Sequence, residues 1–173
     1  MPTPQKHFVF TMTPGRTGPG YLAALLEGNG GPADQVAVHH EFIGFDAFGL
    51  DTPEMSHFTG FNCHGNTLAV RRFWEQKLGR IAATPGSHYV ETSHLLMKAG
   101  LVENIDLLTD AGTVHFVVLR RDPAATVRSY RRRGDFVNRI NMRLRCLDPD
   151  YPRNIVKADA AIPRRLYKNP EAQ

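Results

Sequence analysis

Apolar residues fall into four short runs separated by longer amphipathic stretches. The runs are "HFVFTM" (7–12), "QVAVHH" (35–40), "SHYVET" (87–92) and "TVHFVVLR" (113–120). Each is short and rich in aromatic or β-branched residues, which predicts strands rather than helices. The stretches between them change period. "GYLAALLEGNG" (20–30) reads as a helix ended by glycine. "TLAVRRFWEQKLGRIAA" (67–83) turns Leu68, Phe73, Trp74, Leu78 and Ile81 toward one side. "LLMKAGLVENIDLLTDAG" (95–112) contains helix, and Pro123 opens a last helix that runs to about Arg133 and closes at Gly134.

Strand and helix thus alternate about four times. That order predicts an α/β domain with a mainly parallel sheet of four to five strands and helices on both faces. With 173 residues the chain is expected to form a single domain over 1–173, with 135–173 as a short C-terminal extension. Ligands of such sheets sit beyond the carboxyl ends of the strands. The loops after Met12, His40, Thr92 and Arg120 are therefore expected to converge on one site. One long segment, 41–66, shows no steady period and carries five phenylalanines among Gly, His and Asp. A loop of that length in a compact domain is usually functional, and its aromatics suit a ligand pocket.

The loop "TPGRTGPG" (13–20) follows the first strand and precedes the first helix. Backbone N–H groups of a Gly-rich turn, together with a helix N-terminus, suit an anion. Arg16 adds charge and Thr17 a hydroxyl. The loop lacks the Gly-Lys-Ser/Thr ending of a nucleoside-triphosphate P-loop, since Gly20 is followed by Tyr21. The alternative reading is a plain tight turn. A second stretch, "VVLRRDPAATVRSY", repeats the strand–loop–helix order, with Arg121 at the strand end and Ser129 eight residues on. Such a pair could close on one phosphate from two sides.

At these two stretches the chain resembles the PAPS-dependent sulfotransferase family, whose sulfuryl donor is 3′-phosphoadenosine-5′-phosphosulfate (PAPS). The resemblance spans residues about 7–134 and implies a P-loop-like fold. It implies that Gly15, Arg16, Thr17, Gly18, Pro19, Gly20 and Tyr21 hold the 5′-phosphosulfate, with Arg16 standing where the family carries lysine. It implies that Arg121 and Ser129 hold the 3′-phosphate, and that the product nucleotide is adenosine 3′,5′-bisphosphate (PAP). Two departures stand out. Pro19–Gly20 replaces the family's pair of hydroxyl residues, and 135–173 shows no clear equivalent of the Gly/Lys-rich loop that covers the nucleotide in many members.

Sulfuryl transfer needs a base for the acceptor's proton and a cation for the leaving phosphate. Arg16 fits the second task. For the first, "VHHEFIGFD" (38–46) resembles the glutamate-bearing segment of the carbohydrate branch and makes Glu41 the leading candidate, with His40 next. "ETSHLL" (91–96) resembles segments of both the carbohydrate and the small-molecule branches and makes His94 a rival. A surface carboxylate and a structural histidine are the competing readings.

Composition narrows the field. The hydrophobic share of 42% and charged share of 22% are those of an ordinary globular protein. No run approaches membrane-spanning length, so no membrane partner is expected. Cys63 and Cys146 lie far apart, which argues against a disulfide framework and fits a reducing cytoplasm. His39, His40, Cys63 and His64 lack zinc-ligand spacing, so no metal is expected. The formal net charge is +4, with arginines concentrated in 120–145. That cluster leaves open a nucleotide- or nucleic-acid-binding module without transferase activity, although no recognised nucleic-acid motif accompanies it. A nucleotide phosphotransferase is the other alternative. The sulfotransferase reading expects a small-molecule, carbohydrate or lipid acceptor.

Overall fold

The structure, a computed structural model, describes residues 5–29, 31, 35–42, 61 and 64–134. The expectations for the extension 135–173, for most of the Phe-rich loop and for Cys63 and Cys146 lie outside the described residues. The elements follow in the order β1 (Lys6–Met12), α1 (Pro19–Asn29), β2 (Val36–His40), α2 (Leu68–Ala83), β3 (His88–Thr92), two 3-10 turns (Met97–Ala99 and Val102–Leu108), β4 (Gly112–Val118) and α3 (Pro123–Arg133).

The four strands form one all-parallel sheet in the order β2-β3-β1-β4. The predicted α/β class is therefore observed. Phe8 stands opposite Tyr89 and Val114, and Phe10 opposite Glu91 and Phe116, so these side chains share one face. On that face Phe8, Phe10 and Tyr89 join Trp74, Leu78 and Ile81 of α2 and Leu96, Met97, Leu101 and Leu108 of the 3-10 region in one core. The indole of Trp74 donates to Ala99 O at 2.8 Å, which satisfies its polar end inside that core.

The chain steps from β1 past β3 to β2, then returns to β3 and crosses β1 to reach β4. With right-handed crossovers, this reversal puts α1 on one face and α2 with the 3-10 turns on the other. The outgoing connections of β1 and β3 part in opposite directions. The carboxyl ends of these two neighbours thus form the topological switch point, where open α/β sheets bind ligands.

Three features differ from the sequence pattern. In α2, Leu68 is 66% exposed, while Val70 and Lys77 are buried with Trp74, Leu78 and Ile81. Val70 starts a stripe at intervals of four, seven, eight and eleven residues, and Leu68 lies off it. The helix expected within 95–112 takes the form of two 3-10 turns, Met97–Ala99 and Val102–Leu108, and not of a regular α-helix. Gly100 adopts a left-handed conformation there, and the Asn104 side chain donates to Gly100 O at 2.7 Å. It thereby takes the carbonyl that an α-helix would pair with the Asn104 N–H, which bonds to Leu101 O instead. Finally, β4 has the strongest strand pattern yet occupies a sheet edge, with Phe116, Val117 and Val118 partly exposed. The start and stop signals read at Pro123 and Gly134 act as expected, and Asp122, which the sequence reading did not single out, adds an N-cap. Asp122 accepts from Ala125 N at 2.7 Å, Pro123 takes the first turn, and Gly134 closes the helix with a left-handed backbone.

Candidate functional site

The first wall of the site is the loop after β1. Thr13 Oγ1 accepts from Gly15 N at 3.1 Å and is hydrogen-bonded to the Thr17 hydroxyl. Pro14 O accepts from Lys98 Nζ at 3.0 Å and from the Tyr130 hydroxyl at 2.5 Å. The backbone then passes through positive φ at Gly15 (97°), Arg16 (57°) and Gly18 (97°) before Pro19 starts α1. This coil directs the chain into the helix N-terminus, whose first turn has unpaired N–H groups.

Arg16 stitches this loop to α3 and the loop before it. Its Nε donates to Ser129 Oγ at 2.9 Å, and its carbonyl accepts from Arg121 Nη1 at 2.9 Å. The two stretches that carry the family resemblance are thus in direct contact.

The opposite wall comes from the ends of β2 and β3. Thr92 O accepts from Glu41 N at 3.0 Å and lies 2.8 Å from His40 Nδ1. A carbonyl only accepts, so the His40 proton sits on Nδ1, and Nε2 faces the first turn of α1 near Gly20. Glu41 has φ of 47°. Its Oε1 lies 3.3 Å from His94 Nε2, and the other ring nitrogen of His94 lies 3.2 Å from Lys98 Nζ. Between the walls, Thr11 Oγ1 donates to Ser93 O at 3.1 Å and accepts from Ser93 N at 2.8 Å. These bonds lock β1 to the segment after β3 at the switch point.

The walls enclose a cleft of about 280 Å³ lined by Arg16, Gly18, Pro19, Gly20, His40, Glu41, His94, Arg121 and Arg133. Three guanidinium groups stand with the helix N-terminus, and a carboxylate stands with two imidazoles. This arrangement can hold an anion and place a proton acceptor near it. Not every residue singled out in the sequence reaches the cleft. Gly15 lies beneath the loop against Tyr130 and His94. Thr17 is turned to Thr13, and Tyr21 is 76% exposed outside the lining. Ser129 is only 4% exposed, with its hydroxyl on Arg16.

Three neighbours went unread in the sequence. Arg133 lines the cleft and lies one helical turn beyond Ser129, a spacing that could have marked it. Tyr130 and Lys98 support the loop from below through a backbone carbonyl, for which no sequence signal exists. Among the described residues no group of three or more His, Cys, Asp or Glu is placed to hold a metal. No described helix is long and apolar enough to cross a membrane. No family model, curated protein or solved structure matches the chain.

Proposed function

We propose that the cleft is the PAPS site of a sulfotransferase acting on a hydroxyl or amine of a small-molecule, carbohydrate or lipid acceptor in the cytoplasm. One observation carries this reading. At the switch point of a parallel sheet, the arginine of a Gly-rich loop meets the arginine and serine of the second phosphate-type stretch, opposite a carboxylate. The donor set fits an anionic nucleotide bearing phosphate at two positions: Arg16 with the first turn of α1 on one side, Arg121 and Arg133 on the other.

When bound, PAPS would supply an activated sulfuryl group. Glu41 would take the acceptor's proton, and the 5′-phosphate oxygen would be the leaving atom. Arg16 offsets the negative charge that leaves with that oxygen, which arginine does by charge alone because it cannot donate its proton. Ser129 Oγ accepts from Arg16 Nε, so a 3′-phosphate on Ser129 would replace that bond or share the guanidinium.

Calorimetric titration with PAP and AMP tests the assignment. A charge-assisted hydrogen bond contributes about 1.5–3 kcal/mol, so Arg121→Ala should weaken PAP about 10- to 150-fold. AMP has no 3′-phosphate, and its affinity should fall by less, by no more than the Arg16 loop loses with the Arg121 bond to its carbonyl. Arg16→Ala should weaken both. Equal losses for the two nucleotides in Arg121→Ala would defeat the 3′-phosphate assignment, and no PAP binding by the folded wild type would remove the sulfotransferase reading.

A further inference from the structure

Lys98 lies on the 3-10 turn Met97–Ala99, fully buried, beneath both walls of the cleft. Its Nζ donates to Pro14 O at 3.0 Å in the first wall and lies 3.2 Å from His94 Nδ1 in the second. We infer that Lys98 is a positioning residue: its ammonium fixes His94 in the tautomer protonated at Nε2, and His94 in turn holds Glu41. The inference rests on Glu41 being the base of the proposed reaction.

The argument is one of donors and acceptors. An ammonium group has three N–H donors and no acceptor. His94 Nδ1 must therefore present its lone pair to Lys98, and a doubly protonated ring would set two donors against each other at 3.2 Å. The single ring proton then sits on Nε2, which faces Glu41 Oε1 at 3.3 Å. His94 is almost fully buried, so the ring cannot exchange these partners for water without cost. With Oε1 held by His94, the second carboxylate oxygen is the one that takes the acceptor's proton. His94 therefore orients Glu41 and is not the base. This resolves the rivalry between Glu41 and His94 by assigning them different tasks. The same ammonium also ties the base to the loop that faces the anion, through Pro14 O.

A long-range proton–nitrogen correlation spectrum of the full chain labelled with nitrogen-15 histidine reads the tautomer directly, and needs neither acceptor nor turnover. His94→Gln identifies the His94 signals by their loss. In the wild type at neutral pH, Nε2 should be protonated and Nδ1 bare. A ring protonated at Nδ1, or at both nitrogens, overturns the inference. Lys98→Met should lift the bar on Nδ1, so that the ring takes a second proton there while Nε2 stays protonated against Glu41, whereas Lys98→Arg, which keeps the donors, should retain the wild-type pattern. A wild-type tautomer surviving in folded Lys98→Met would also overturn the inference, because a purely structural lysine leaves the ring unchanged. Should Lys98→Met not fold, the wild-type spectrum and Lys98→Arg still decide. PAP titration of the same sample separates the two ideas. Loss of PAP binding defeats the sulfotransferase reading, while the wrong tautomer defeats only the role of Lys98.

Discussion

Two glycines of the first loop have the same backbone conformation and different surroundings, which allows strain and packing to be separated. Gly15 and Gly18 both have φ of 97°. An added Cβ at Gly18 would meet nothing within 4 Å. At Gly15 it would lie 2.8 Å from the Tyr130 hydroxyl oxygen and 3.2 Å from His94 Cγ. Placing alanine in left-handed backbone costs about 1–2 kcal/mol, less about 0.4–1 kcal/mol regained because the unfolded chain loses freedom. Gly18→Ala should therefore destabilise by about 1.6 kcal/mol at most. Gly15→Ala carries the same backbone term and must also move Tyr130. Tyr130 is buried, and its hydroxyl donates to Pro14 O at 2.5 Å. Breaking that bond adds about 1–3 kcal/mol. Denaturant unfolding of both variants, with m-values checked for equality, measures the difference. Equal destabilisation would refute the claim that Gly15 is required by the close approach of Tyr130 and His94.

The buried pair Lys77–Glu91, 3.4 Å apart, gives a second prediction. Tyr89 donates to Glu91 Oε2 at 2.8 Å, and burial pushes the Lys77 amine down and the Tyr89 phenol up. Lys77→Met alone should cost about 3–5 kcal/mol by stranding Glu91, whereas Lys77→Met combined with Glu91→Gln should recover most of that loss. A double-mutant cycle in which the two losses simply add would contradict this. A third concerns acid. Hydrogen bonds from Arg71, both at 2.6 Å, hold the Asp106 carboxyl below its ordinary value of 3.8. A depressed carboxylate contributes stability above its unfolded pKa and loses it as pH falls through the lower folded value. Asp106→Asn should flatten the acid limb of a stability–pH curve below about pH 4. An unchanged slope there would sink the idea.

The sheet was legible because its four strands are short apolar runs bounded by breakers, and a run of two or three large apolar residues needs little context to be read. α3 was legible because Pro123 and Gly134 act through local backbone chemistry alone. What could not be read depends on distant partners. Lys77 is buried because the Glu91 carboxylate faces it from another element, so a charged residue sits on an apolar stripe. The 3-10 region depends on one side-chain bond from Asn104 to Gly100 O. In the site, Arg16, Gly18, Pro19, Gly20, His40, Glu41, His94 and Arg121 come together because each sits at or just past the carboxyl end of a strand. Tyr21 follows the same loop, yet its position on α1 turns it to solvent. Ser129 meets the first loop as expected, but no residue pattern marks Arg16 as the partner of its hydroxyl.

Backbone strain ties these observations together. Among the described residues, Arg16 and Glu41 are the only non-glycines with positive φ, and they stand on opposite walls of one cleft. Such conformations cost about 1–3 kcal/mol each and persist only where neighbours over-determine them. Here the neighbours are visible. Arg16 is fixed through its carbonyl by Arg121 and through its Nε by Ser129. Glu41 is fixed through its N–H by Thr92 and through its carboxylate by His94. Glycine would relieve the strain at either position, as it does at Gly15 and Gly18 in the same loop, but it would leave no guanidinium and no carboxylate. A loop that uses glycine where the turn and close packing matter, and arginine where a charge faces the cleft, separates the requirements within four residues. Glu41 repeats that logic on the other wall, where a strained carboxylate is held by a histidine that is itself held by a buried lysine. Among the described non-glycine residues, the strained backbone thus falls at the two positions to which the proposed reaction gives opposite charges and complementary tasks.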